Sequence, residues 1–221
     1  MKCEALVFDA YGTLFDVHSV AAHCERLWPG MGATVSQFWR TKQLGYTWQR
    51  SLMRRYEDFH AVTEAALRYV CAALEIECGE PQIKQLMDGY LELVTFPEVK
   101  EALNRLAPLK LAILSNGSPK MLEPLVRHAG LDSVFASVLS VDSLKLYKPD
   151  PRVYQLAVDK LEVTASGIGF VSSNCWDACG AKSFGFTTFW INRSNAPMDH
   201  LGVTPDFIVH SLSELPALVG V

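Results

Sequence analysis

Ala5-Leu-Val-Phe8, followed by Asp9-Ala-Tyr-Gly-Thr13, is the stretch on which the fold turns. Four apolar residues in a row, closed by an acid and a glycine turn, describe a short strand covered on both faces. Comparable runs recur downstream. Leu109 to Leu114 ends in Ser115-Asn-Gly-Ser118 with Pro119 next, and Ser137 to Val141 leads to Asp142. Gly167 to Val171 leads to Ser172-Ser-Asn174, Thr187 to Ile191 follows Gly185, and Phe207 to Val209 is a sixth. Asn-Gly marks a turn, and Ser118 before Pro119 suits an N-cap and a first helical position. Helices are expected from Pro119 to Ala129, from Pro151 to Leu161 with Asp150 as N-cap, and from about Asn174 through Lys182. Alternating strands and helices predict a parallel α/β sheet with right-handed crossovers.

Between the first strand and Leu109 the alternation stops. Val35 to Arg54 and Val62 to Leu74 are amphipathic at helical spacing instead. This predicts a helical insertion over residues 16–96, folded as a cap above the sheet, with 1–15 and 97–221 forming the core. No internal repeat or low-complexity segment interrupts the chain.

Composition excludes several classes of function. Of 221 residues, 49% are hydrophobic and 20% charged, which is too apolar for a disordered chain. The net charge of −4, with 20 Lys+Arg against 24 Asp+Glu, gives no basic excess for nucleic acid. A membrane span needs roughly 20 apolar residues. The most apolar stretch, Leu103 to Leu114, is broken by Asn104, Arg105 and Lys110. Glu4 and Asp9 interrupt any export signal at the start. The six cysteines are therefore expected as free thiols in the cytoplasm.

In an open parallel sheet, ligands bind beyond the carboxyl ends of the strands. Those ends carry Asp9 with Tyr11 and Thr13, then Ser115 with Asn116, then Asp142 to Lys148, and finally Ser172, Asn174 and Asp177. A single polar residue at a strand end means little, because loops are polar. Four ends bearing mutually useful groups are a stronger signal. Taken alone, Asp9 reads as the cap of a turn. Leaving a buried strand, however, its carboxylate needs donors or a cation, and the turn amides, Thr13 and Lys148 can supply them. Lys148 precedes Pro149, which favours extended backbone. Facing Asp9 at ~4 Å, with an effective dielectric near ~20, it would contribute about 4 kcal/mol of Coulomb attraction.

Phe8-Asp-Ala-Tyr-Gly-Thr-Leu14, with Ser115-Asn-Gly117, Lys148-Pro149 and Ser172-Ser-Asn-Cys-Trp-Asp177, resembles the haloacid dehalogenase superfamily. More narrowly it is similar to the L-2-haloacid dehalogenases. Phe38-Trp-Arg-Thr-Lys-Gln-Leu44 and Tyr46-Thr-Trp48 resemble that family's halide-binding helix. The ordered set spans nearly the whole chain. It implies a Rossmann-like core of about six strands, a helical cap, a homodimer, and neither cofactor nor metal. Superfamily phosphatases usually carry Asp-x-Asp, whose second acid protonates a leaving alkoxide beside Mg²⁺. Tyr11 takes that place here. A halide leaves without a proton, and a monoanionic haloacid needs no metal to screen it, so the exchange favours dehalogenation over phosphate release.

The resemblance implies that Asp9 displaces halide from carbon 2 of a 2-haloalkanoate, forming an ester that water then hydrolyses. Thr13 and Lys148 would orient Asp9. Ser115 and the amides after Asp9, at Ala10 and Tyr11, would hold the substrate carboxylate. Arg40 and Asn116 would receive halide. Asp177, with Ser172 and Asn174, would position and activate water, and Tyr154 would hydrogen-bond near Lys148. Tyr11, Leu44, Phe59 and Trp176 would wall the substrate, although each alone reads as ordinary core. Thr41 departs from the Gln expected in many relatives, which bears on pocket detail and substrate range.

Other readings find less support. Cys175 and Cys179 lack the further ligands that zinc requires. The histidines are scattered, leaving a Ser-His-Asp triad without local support. The nearest competing enzyme is a phosphatase of the same superfamily. A phospho-accepting module on a flavodoxin-like sheet would need an acidic metal pocket, which Tyr11 disfavours.

Overall fold

The computed structural model describes residues 3–221. Six parallel strands form one sheet: β1 (Ala5–Phe8), β2 (Lys110–Ser115), β3 (Ser137–Ser140), β4 (Ile168–Ser172), β5 (Thr187–Ile191) and β6 (Phe207–Val209). Their spatial order is β3-β2-β1-β4-β5-β6. All four residues of β1 and all five of β4 are buried, as strands covered on both faces must be. The edge strands β3 and β6 leave Val138 and Ile208 exposed. Strand order reverses between the adjacent strands β1 and β4, and a crevice opens at that switch point.

Two strands are shifted by one residue from the sequence expectation, and a third is one residue shorter. The second strand is Lys110–Ser115 rather than Leu109 to Leu114, and the fourth is Ile168–Ser172 rather than Gly167 to Val171. Pairing sets these ends: Ser115 is in register with Ser140, and Ser172 with Trp190. Ser115 and Ser172 are thus the last residues of strands, their directions fixed by the pleat rather than by loops. The third strand ends at Ser140, before Val141, where a 3₁₀ turn begins.

The helices of the described residues fall into two groups. Between β1 and β2 come α1 (Ala21–Leu27), α2 (Gly32–Leu52), α3 (Phe59–Ala73), α4 (Glu80–Gly89) and α5 (Val99–Leu106). Flanking the sheet are α6 (Pro119–His128), α7 (Pro151–Leu161), α8 (Cys175–Phe184) and α9 (Leu215–Val219). Asp150 caps α7, its Oδ1 accepting from the Arg152 amide at 3.0 Å, and left-handed Glu162 (φ 56°) ends it. Ser118 takes the N-cap position of α6 with extended backbone, yet its hydroxyl makes no capping bond and has no partner. Ser118 thus holds the expected N-cap position, starting the helix through its extended backbone and its carbonyl, which accepts from the Met121 and Leu122 amides.

α2 and α3 pack along one another, with Trp39 Nε1 donating to the Thr63 carbonyl at 2.7 Å. The chain's two passages between these helices and the sheet lie side by side. Asp16 N donates to Val94 O at 2.8 Å and Phe96 N to Leu14 O at 3.1 Å. A second seam joins the helices to the loop after β3. Tyr56 donates to Asp142 Oδ1 at 2.8 Å and stacks on Tyr147 at 5.1 Å, and Tyr147 donates to the Glu57 carbonyl at 2.6 Å. No helix among the described residues is long and apolar enough to cross a membrane.

Candidate active site

Asp9 leaves β1 at the switch point, its amide donating to the Val171 carbonyl at 2.9 Å. Its side chain is only 8% exposed, and three donors surround the carboxylate. Oδ2 accepts from Thr13 Oγ1 at 3.0 Å and Asn174 Nδ2 at 3.1 Å, while Oδ1 accepts from Lys148 Nζ at 3.1 Å. Thr13 is itself oriented, because its oxygen accepts from the Ser173 amide at 2.8 Å. Asn174 occupies the N-cap position of α8 without capping the helix. Its side chain is diverted to Asp9, and its amide instead donates to Ser172 Oγ at 3.1 Å.

Lys148 bridges two acids. Its Nζ lies 2.9 Å from Asp177 Oδ2, and the side chains of Lys148 and Asp177 are both 0% exposed. Burial alone would depress the ammonium, but the two carboxylates outweigh it and hold Lys148 above the ordinary lysine value. Asp177 is raised above the usual carboxylate range by its own burial and by the Asp9 charge, against the opposing pull of Lys148 and Tyr154. Tyr154 donates to Asp177 Oδ1 at 2.8 Å and Ser172 to Oδ2 at 3.0 Å. Burial and the Asp177 charge push the Tyr154 phenol well up, so it stays a neutral donor.

Ser115 and Asn116 complete the floor. Ser115 Oγ accepts from the Gly117 amide at 3.0 Å, which leaves its proton to donate. Asn116 Oδ1 accepts from the Lys148 amide at 3.0 Å, so both of its Nδ2 protons are available on the other side. Arg40 comes from above, on α2. Its Nη2 donates to the Tyr11 carbonyl at 3.2 Å and its Nη1 to Gln43 Oε1 at 2.7 Å. Tyr11 packs against Phe59 with ring centres 5.4 Å apart, and Ala10 is fully buried beside it in the chain. Leu44 lines a cleft of about 470 Å³ together with Arg40 and Asn174. Trp176 meets Trp48 edge to face at 5.3 Å.

Asp9, Thr13, Lys148, Tyr154, Ser172, Asn174 and Asp177 thus form one continuous hydrogen-bonded group, with Asn116 joined through the Lys148 backbone. Asp142 does not join it. Its partners are Tyr56 and Lys145, which make it part of the outer seam, so only the Lys148 end of that loop reaches the site. Thr41 is exposed and turns its hydroxyl back onto the Gln37 carbonyl at 2.9 Å. It does not line the cleft beside Arg40 and Leu44. Gln43 was not marked by its residue type. It is buried, and its Nε2 donates to Thr63 Oγ1 at 2.7 Å, so it anchors Arg40 from behind. Its spacing three residues after Arg40 was the available signal.

These residues do not fit a divalent ion. A Mg²⁺ site wants several oxygen ligands, but the Lys148 ammonium stands between the two carboxylates, and Tyr11 contributes an aromatic ring where a further acid would be needed. The described residues contain no cluster of three or more His, Cys, Asp or Glu suited to a metal. All six cysteines, including Cys175 and Cys179, are free thiols.

A buried aspartate at the end of β1, held by a lysine from the loop after β3, sets an ionised carboxylate at the switch point of an α/β sheet, the placement used by hydrolases that work through a carboxylate. A family model described as haloacid dehalogenase-like hydrolase matches residues 3–185, and the chain belongs to that family. Within it, the chain is 51% identical to the (S)-2-haloacid dehalogenase of Pseudomonas sp. (strain YL), over 95% of this chain and 91% of that protein. A solved L-2-haloacid dehalogenase superposes with a TM-score of 0.97 at 48% identity, covering 100% of both chains. The enzyme from Xanthobacter autotrophicus, solved with chloropropionic acid covalently bound, gives 0.93 at 42% identity, over 99% of this chain and 98% of that one.

Proposed function

We propose that this chain hydrolyses (S)-2-haloalkanoates to (R)-2-hydroxyalkanoates and halide through an ester on Asp9. The observation that carries the reading is the Asp9 carboxylate, buried and held by Thr13, Asn174 and Lys148, with Tyr11 in place of a second acid. Oδ1 carries one donor against two on Oδ2, so Oδ1 keeps the more available lone pair and attacks carbon 2 in line. The carbon–halogen electron pair leaves with the halide, and carbon 2 inverts. Arg40 and the Asn116 amide receive the halide, where donors act mainly as charge develops. Ser115 and the amides of Ala10 and Tyr11 hold the substrate carboxylate. Tyr11, Leu44, Phe59 and Trp176 keep water from the reacting centre.

Water then attacks the ester carbonyl of Asp9, which leaves the inverted carbon untouched. Asp177 takes the water proton. Ser172, Tyr154 and Lys148 hold Asp177 in place; Asp177 returns that proton to the departing alkoxide oxygen of the hydroxy acid, and water's second proton is released to solvent, which regenerates Asp9 as a carboxylate. Residues 16–96 serve as a cap domain over a core of 1–15 and 97–221, a division supported by the adjacent passages at Leu14–Asp16 and Val94–Phe96. The enzyme acts as a cytoplasmic homodimer on a small anionic substrate, with neither nucleic acid nor membrane as partner.

Chloride release from (S)-2-chloropropionate, compared with the R enantiomer and repeated with a chelator, tests the reading. Release from the S form alone, unaffected by the chelator, is expected. Mg²⁺-dependent release of phosphate from a phosphorylated metabolite, without dehalogenation, would point to a superfamily phosphatase instead. Arg40→Ala removes the main halide donor and is expected to lower turnover by about 10²- to 10³-fold while the protein stays folded. Near-normal turnover by that variant would return Arg40 to an ordinary helix surface.

A further inference from the structure

Arg193 lies two residues beyond β5 and reaches both passages between the helices and the sheet. Its Nη1 donates to the Gly12 carbonyl at 3.3 Å and its Nη2 to the Thr13 carbonyl at 3.0 Å. Nε and Nη2 also donate to Glu98 Oε1, at 2.9 and 2.7 Å. The guanidinium carbon stands 3.7 Å from the centre of the Phe96 ring. Both side chains of the Arg193–Glu98 pair are 20% exposed, so solvent screens the pair less than it would a surface pair.

The turn that Arg193 grips is the one that aims Asp9. Gly12 has φ +91°, a conformation open to glycine, and a Cβ there would stand 3.2 Å from Ser173 Oγ. This sharp turn leaves the Gly12 and Thr13 carbonyls outside the sheet, in need of donors. Thr13 is also the residue whose hydroxyl donates to Asp9 Oδ2. Fixing the backbone of Thr13 therefore fixes the direction of that hydroxyl, and with it the angle of the carboxylate.

We infer that Arg193 is a positioning residue, whose guanidinium locks the Gly12–Thr13 turn behind Asp9 and ties it to the returning passage at Phe96 and Glu98. The inference rests on Asp9 being the nucleophile. Arg193 borders the same cleft as Arg40, Leu44 and Asn174, but its Nε, Nη1 and Nη2 are engaged by Glu98 and the Gly12 and Thr13 carbonyls, so its loss should act on turnover rather than on binding. Lysine carries the same charge on a flexible stem but lacks the planar fork. It cannot serve two carbonyls and a carboxylate while stacking on a ring.

The test is steady-state chloride release from (S)-2-chloropropionate by the full-length wild-type, Arg193→Lys, Arg193→Met and Glu98→Gln proteins, with thermal midpoints measured alongside. Arg193→Lys is expected to stay folded and to lose about 10- to 100-fold in kcat, the scale of a slightly misaimed nucleophile, with KM within about threefold of wild type. Glu98→Gln keeps both carbonyl contacts and should lose clearly less. Should Arg193→Met fail to fold, the lysine variant still decides. Wild-type kcat in Arg193→Lys, a rise in KM with kcat unchanged, or a loss in Glu98→Gln equal to that of the lysine variant would each overturn the inference. Failure of the dehalogenase reading would show instead in the wild-type protein.

Discussion

Asp9→Asn is expected to abolish halide release, with a loss of about 10⁴-fold or more, the scale seen when a covalent nucleophile is removed. The amide has nearly the same shape, and Thr13 still has an oxygen to donate to, so the fold should survive. What is lost is the negative charge that expels halide and the oxygen that carries the ester. A single turnover with excess wild-type enzyme in ¹⁸O-water gives the complementary result. Water attacks the Asp9 carbonyl, so the label should enter Asp9 and be absent from the first hydroxy acid formed. Label appearing first in the product would mean that water attacks carbon 2 directly and that Asp9 is a general base.

The second large effect is expected from Lys148→Met. Its ammonium bridges Asp9 at 3.1 Å and Asp177 at 2.9 Å in a place without solvent. Removing it leaves two buried acids facing one another, and breaking such a group costs about 3–5 kcal/mol of stability. Turnover should vanish with it, because one carboxyl must then hold a proton. The pH dependence separates this from a packing defect. In the wild type the Lys148 pKa lies above the ordinary 10.5. Its contribution is therefore fully present below that pH and is lost as the pH rises through the folded value. In the variant the dependence moves to the acid side. A buried acid with a raised pKa folds more favourably when protonated, so the deficit in urea unfolding should shrink as pH falls from about 7 towards about 5. A deficit constant across that range would mean lost packing only.

How far the molecule could be read beforehand follows from where the information lies. β5, β6 and α7 match the expected bounds because glycine, proline and the Asp150 cap punctuate them. β2 and β4 were displaced by one residue because strand ends depend on pairing partners far away in the chain. Asp9, Lys148, Asn174 and Asp177 could be grouped beforehand because they stand at or shortly beyond strand ends, where a parallel sheet collects its ligands. Arg40 was legible only through the motif around it, since an arginine on an amphipathic helix otherwise reads as solvated surface. Gln43 was marked only by its spacing from Arg40, and Arg193 carried no local mark, because its role exists only once the loop after β5 faces the Asp9 turn. Asp142 was grouped with the site by chain position, yet a few residues of loop are enough to carry it to Tyr56.

The neighbouring passages at Leu14–Asp16 and Val94–Phe96 have a consequence for how such enzymes diversify. The sheet is left and re-entered at nearly one point, so the roof can be exchanged as a cassette while the floor stays intact. Asp9, Lys148 and Asp177 belong to the floor, whereas Arg40 hangs from the roof. On the proposed reading, ester chemistry would be inherited with one part and the reception of the leaving group with the other, so natural or engineered grafting would retune the second without rebuilding the first.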